Sequence, residues 1–72
     1  MQLETDRMNL AELARVSVER ALGHYRAARR EGYNEENARA QAIAYLRRKT
    51  HWTFHLAAGT FDAALRDVTI TI

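Results

Sequence analysis

The spacing of apolar positions along the chain predicts two long helices. From residue 10 to residue 28, apolar and small side chains recur every three or four positions, which is the pattern of an amphipathic helix. The same kind of spacing begins again at residue 35. We therefore predict a mainly α protein with a first helix over about residues 10–31 and a second over about residues 35–58. The two helices should pack as an antiparallel hairpin.

The boundary between these helices is the best-specified stretch of the sequence. Gly32 suits the left-handed backbone just past a helix end, and Asn34 is a favoured N-cap. Two arginines precede the glycine and two glutamates follow the asparagine, so each helix end carries the charge that its dipole favours. Asn9 and Glu12 have the spacing of a capping box at the start of the first helix. Their roles at the helix ends account for these residues, so they do not indicate a ligand-binding site.

The end of the second helix is ambiguous in the pattern. Residues 51–56 alternate polar and apolar, so a period of two would make them a strand with three large apolar side chains on one side. At the helical period, Trp52 and Leu56 instead continue the preceding apolar face. We favour the helix because no Gly or Pro interrupts residues 35–58 and Gly59 is a good helix stop.

The C-terminal part is predicted to hold a short third helix and a strand. Thr60 can cap a helix over about residues 61–66. Residues 68–72 are all β-branched and alternate between apolar and polar side chains, which is typical of a strand. A lone strand has unpaired backbone groups, so we expect this one to pair within a dimer or with a partner's sheet edge. The candidate strand-pairing residues are Val68, Ile70 and Ile72.

Length and composition indicate one small domain, residues 1–72, with a short N-terminal arm over residues 1–8. The chain has 72 residues, of which 47% are hydrophobic and 28% charged. A domain of this size buries only about 60% of its unfolded surface, and the absence of cysteine rules out disulfide support. Self-association or a partner is then the expected source of added stability. No apolar run approaches a membrane span and the first residues do not resemble a signal peptide, so we predict a cytoplasmic protein without membrane contact.

The middle of the chain is basic and supplies the candidate binding surface. Residues 26–51 hold seven arginine or lysine residues and three glutamates, within a net charge of +2. An arginine cluster with an aromatic neighbour can contact phosphates and stack on a base, and exposed aromatic residues also anchor protein interfaces. A solvated basic turn would have the same composition. The candidate contacts to a partner or a nucleic acid are Arg47, Arg48, Lys49, His51, Trp52, Phe54 and His55.

The sequence offers no catalytic constellation. Ser17 is the single serine and falls on the apolar face of the first helix, and the three glycines are isolated, so no phosphate-binding loop is present. His51 and His55 are four residues apart, but a zinc site needs a third and a fourth ligand. We predict no enzyme, no metal and no cofactor.

Two functional hypotheses follow from these patterns. The first is a small non-catalytic protein-binding protein, an adaptor, inhibitor or regulator, that acts through the surface of the helical hairpin and the terminal strand. Its partner would be a second copy of itself in a homo-oligomer, or another protein. The second hypothesis is a nucleic-acid-binding regulator that uses the basic and aromatic segment from Arg47 to His55.

Overall fold

The chain forms three α-helices in a computed structural model that describes residues 9–71. The helices are α1 (Leu10–Arg30), α2 (Glu35–Thr50) and α3 (Phe54–Thr71). α1 and α2 pack most extensively and form the predicted hairpin, and α3 packs against both. No strand occurs within residues 9–71. The predicted N-terminal arm, residues 1–8, lies outside the described residues.

The capping residues at the first two helix starts are confirmed. The backbone N–H of Glu12 donates to Oδ1 of Asn9 at 2.7 Å. The backbone N–H of Asn37 donates to Oδ1 of Asn34 at 2.8 Å. Each cap satisfies one of the N–H groups that have no partner within their own helix, a contact worth about 1 kcal/mol. Local sequence rules therefore fix where α1 and α2 begin.

The turn between α1 and α2 also has the predicted geometry. Gly32 has a φ of 103°, in the left-handed region that glycine adopts without strain. The N–H of Tyr33 donates to the carbonyl of Ala28 at 3.1 Å, and the N–H of Gly32 donates to that of Arg29 at 3.1 Å. This pair of bonds is the Schellman motif, which satisfies carbonyls at the end of a helix.

The predicted second helix over residues 35–58 is too long, because α2 ends at Thr50. His51 follows in a left-handed conformation with a φ of 62°. The hydroxyl of Thr50 donates to the carbonyl of Leu46 at 2.8 Å and accepts from the N–H of Trp52 at 3.2 Å. One side chain thus bonds backbone groups on both sides of the break. The helix therefore ends without the glycine or proline that usually marks such an end.

The predicted third helix, residues 61–66 with Thr60 as its cap, is also too short. α3 begins at Phe54, and the N–H of Leu56 donates to Oγ1 of Thr53 at 3.3 Å. Thr60 lies inside the helix. The break after α2 lets α3 fold back onto the hairpin, so that Phe61 becomes fully buried. Burial of a phenylalanine is worth about 1.5–3 kcal/mol, which favours the broken arrangement over a continuous helix.

The prediction of a C-terminal strand over residues 68–72 is wrong where the structure describes it. Val68 and Ile70 belong to the last turns of α3, which continues to Thr71. Ile72 lies outside the described residues. The backbone at Val68 and Ile70 is therefore helical and does not offer a strand edge for pairing.

The helical form of this segment follows from packing. Val68 lies one turn after Leu65 and two turns after Phe61, and it packs against the same core. A β-branched residue in a helix costs only about 0.5 kcal/mol relative to alanine, whereas the partly buried Val68 gains about 0.8 kcal/mol for each methylene-sized group that it removes from water. The packing gain exceeds the local preference for strand, which is itself strongly dependent on context.

The core is small and rich in alanine. Phe61, Ile43 and Leu46 are its largest fully buried side chains. The rings of Tyr25 and Phe61 are 5.8 Å apart between centroids, which joins α1 to α3. Small buried side chains let the helices approach closely but bury little apolar area each. The remaining members of the buried cluster are Ala21, Leu22, Ala42, Ala57 and Ala58.

Candidate functional site

The basic segment lies at the end of α2, where its charges already have structural roles. Nε of Arg47 donates to the carbonyl of Trp52 at 3.3 Å, which holds the loop between α2 and α3. Arg47, Arg48 and Lys49 occupy the last turn of α2. Positive charge in that position is stabilised by the negative end of the helix dipole. Helix geometry thus accounts for the cluster without a ligand.

Tyr45 provides a further local partner for two of these cations. The Arg48 guanidinium carbon is 5.8 Å from the centroid of the Tyr45 ring, and the Lys49 ammonium nitrogen is 5.7 Å from it. The His24 ring lies 4.4 Å from the same ring and is tilted by 45°. Cation–π contacts at exposed sites are worth about 0.5–1 kcal/mol each. Contact with the Tyr45 ring therefore competes with the binding of an external phosphate by Arg48 or Lys49.

The aromatic residues of the segment separate into a packed and an exposed part. Trp52 is half-buried and packs against the core, so only part of its surface is accessible for stacking on a base. Phe54 is 49% exposed, and its ring lies 6.0 Å from that of His55 in an edge-on arrangement. Exposed aromatic surface of this kind suits a protein contact.

The two histidines of the segment do not share a helix. His51 caps the end of α2, whereas His55 lies in the first turn of α3. The four-residue helical spacing that suits a pair of zinc ligands is therefore lost. Among the described residues, no three His, Cys, Asp or Glu side chains are grouped so that they could hold a metal ion.

Sequence reasoning missed an ion pair that ties α2 to α3. Nε and Nη2 of Arg39 donate to the two carboxylate oxygens of Asp62, each at 2.9 Å. This hydrogen-bonded guanidinium lowers the pKa of Asp62, and the same contact raises the pKa of Arg39. The pair joins residues on two helices, and no periodicity or spacing in the sequence relates them. It positions α3 against the hairpin.

An open groove lies between α1 and α3. Its volume is about 370 Å³ and its lining is mostly apolar. α1 contributes Ala14, Val18 and Leu22, which are spaced four residues apart, and α3 contributes Ala64 and Val68 at the same spacing. Rows of side chains four residues apart form the ridges that pack against another helix.

Charged side chains border this groove. Arg15 and Glu19 lie on the α1 side and Asp67 lies on the α3 side. Arg15 and Glu19 are exposed over 63% and 65% of their side-chain surface. An apolar centre with a charged and accessible border is the usual anatomy of a protein interface.

Two exposed leucines extend the apolar rows that line the groove. Leu10 is one turn before Ala14 in α1 and is 83% exposed. Leu56 is one turn before Thr60 in α3 and is 50% exposed. Sequence reasoning missed the groove, because the predicted second helix ran on to residue 58 and no spacing in the sequence shows that α2 ends at Thr50 and that α3 folds back against α1.

No protein-family model, curated protein or solved structure matches this chain. The fold defines its class, a small mainly α protein in which a helical hairpin is covered on one side by a third helix. None of the helices within residues 9–71 combines the length and the apolar character needed to cross a membrane.

Proposed function

We propose that this chain is a small non-catalytic protein-binding protein of the adaptor, inhibitor or regulatory type, and that the groove between α1 and α3 is its binding surface. The observation that carries the proposal is the groove itself, about 370 Å³ with a mostly apolar lining. A volume of this size accepts several apolar side chains of a partner helix. A helix laid into an apolar groove is a common mode of protein recognition.

The distribution of exposed apolar surface supports the same proposal. Leu10 and Leu56 prolong the two rows that border the groove, so the apolar surface is larger than the groove alone. Exposed apolar surface beside a groove is a feature of protein interaction sites. The apolar lining suits burial of partner side chains and offers few polar groups for proton transfer.

The contacts of the basic segment favour this proposal over the nucleic-acid alternative. Arg47 is engaged with the backbone of the α2–α3 loop, and Arg48 and Lys49 lie near the ring of Tyr45. Trp52 packs against the core. A nucleic acid would have to compete with each of these contacts.

Affinity capture from the native host tests the proposal with a matched pair of variants. Ala14→Glu places a charged side chain in the groove, and glutamate has good helix propensity, so α1 should still form. Ala44→Glu makes the same change on the exposed face of α2. The captured material is eluted with and without nuclease. We expect proteins that the wild type and Ala44→Glu retain, that Ala14→Glu loses, and that nuclease does not release.

The basic segment supplies the contrasting variant. Replacement of Arg47 and Arg48 by Glu should leave protein capture intact. If nuclease releases the captured material and this charge reversal abolishes capture, the nucleic-acid alternative is correct. If Ala14→Glu and Ala44→Glu retain the same proteins in the same amounts, the groove is not the binding surface.

A further inference from the structure

The apolar face of α1 extends past the part that α2 covers. α1 has 21 residues and α2 has 16, so α1 is longer by roughly 7 Å at a rise of about 1.5 Å per residue. Leu10 lies one helical turn before Ala14, which lines the groove. Leu10 is nevertheless 83% exposed. An apolar row of α1 therefore runs from the groove into uncovered surface.

The charges on the α1 border of the groove are self-complementary. Arg15 and Glu19 are one helical turn apart, and both line the groove. Their own contact is long, at 3.9 Å between Nη1 and Oε2, and both side chains are largely exposed. If two α1 helices meet in antiparallel orientation across a two-fold axis, Arg15 of each copy faces Glu19 of the other. The same two residues of α1 would therefore form two equivalent ionic contacts between the copies.

We infer that the occupant of the groove is a second copy of this chain. The two grooves face each other, so that α1 and α3 of both copies enclose the apolar lining in a four-helix arrangement. The α1 helices run antiparallel, with Arg15 of each copy opposite Glu19 of the other. This inference rests on the proposed function, because it names the partner that the same groove takes.

Two further observations favour a second copy over an unrelated protein. A two-fold interface brings identical patches together, so each copy must carry both charges and the apolar surface that its partner buries. α1 meets this condition through Arg15, Glu19 and its apolar row. The core is also small, and self-association is a common source of stability for a domain of this size.

Mixing two charge variants tests the inference directly. In a homodimer, Arg15→Glu alone would place two acids opposite each other at each reciprocal contact, and Glu19→Arg alone would place two arginines there. Each variant should therefore self-associate less tightly than the wild type. In a mixture, one copy carries two acids and the other two bases, and both reciprocal contacts are restored.

The sequence has no cysteine, so Ala44→Cys provides one labelling site for a donor or an acceptor dye on the exposed face of α2.

The expected result is heterodimer formation measured by energy transfer between the labelled variants. Each single variant should have a dissociation constant about tenfold weaker than that of the wild type, and the mixture should return close to the wild-type value. High salt should narrow these differences because it screens exposed charges. The internal contact between Arg15 and Glu19 is lost in both single variants and is not regained on mixing. Rescue by mixing therefore identifies a contact between copies.

Two results would overturn the inference. One is a mixture that associates no more tightly than the single variants, and the other is a wild-type chain that shows no energy transfer at high micromolar concentration. If either occurs while Ala14→Glu still loses a captured protein, the groove binds a different protein and the proposed function stands. If Ala14→Glu has no effect on capture either, both proposals fail.

Discussion

The two sides of α1 have different neighbours and different packing. Toward α2, alanines such as Ala21 and Ala42 are fully buried, and the helices pack extensively. Toward α3, Val18 and Ala64 line an open groove. A short turn with a well-formed Schellman motif sets α2 close to α1, whereas α3 reaches α1 only after the chain has turned back from the far end of α2. The apolar side chains of α1 therefore contribute both to the buried core and to an accessible surface.

The largest expected difference in stability is between the substitution of a leucine buried in the core and that of a leucine on the exposed surface of α1. Leu46 is fully buried, so Leu46→Ala should lower the free energy of unfolding by about 2–5 kcal/mol. Leu10 is 83% exposed, so Leu10→Ala should change the stability of the monomer by about 0.5 kcal/mol or less. Urea unfolding at low protein concentration measures both values. Equal losses would show that the α1 surface at Leu10 is part of the core.

A single methyl group added in the turn between α1 and α2 should change the stability of the fold. Gly32 has a φ of 103°, so Gly32→Ala should destabilise the fold by about 1–2 kcal/mol. Gly23 lies in α1 with nothing within 4 Å of an added Cβ, so Gly23→Ala should stabilise it by about 0.5–1 kcal/mol. The midpoint of thermal unfolding should therefore move in opposite directions. A shift of the same sign in both variants would contradict the left-handed turn.

A smaller effect is expected from the ion pair that attaches α3. The Arg39 guanidinium lowers the pKa of Asp62, so the pair stabilises the fold at a pH above the unfolded-state pKa of about 3.9. This contribution is lost as the pH falls through the lower pKa of the folded state. Its size should be about 1 kcal/mol or less, since the side chains are 36% and 41% exposed.

Substitution of either partner should remove the same part of the acid sensitivity. Unfolding of Asp62→Asn and Arg39→Gln is followed between neutral pH and about pH 3, which spans the titration of a carboxyl group. The double variant should lose little more stability than either single variant, because the two residues act as one contact. Additive losses would show that each residue has a separate role.

Local signals made the first half of the fold predictable. Asn9, Gly32 and Asn34 act on backbone groups within a few residues, so their roles can be deduced from the sequence. The break at His51 could not be deduced, because it depends on the hydroxyl of Thr50 and on burial of the distant Phe61. The helical form at Val68 was missed for the same reason, since packing of its side chain against the core overrides the β-branched pattern.

The candidate site was harder to predict than the fold. The segment from Arg47 to His55 stood out in the sequence, but most of its charges and its tryptophan have partners within the chain. The groove arises where α1 and α3 fail to close, and such a gap depends on the distance between helices that are remote in sequence. The contact between Arg39 and Asp62 is non-local in the same way.

Sedimentation equilibrium on the wild type, Ala14→Glu and Ala44→Glu tests the central claim that the groove binds a second copy. We expect the wild type and Ala44→Glu to have a mass above that of the monomer, rising with concentration into the high micromolar range. Ala14→Glu should remain monomeric, with an unchanged helical circular dichroism spectrum. A monomeric wild type at the highest concentration, or an Ala14→Glu variant that associates as tightly as the wild type, would contradict the claim.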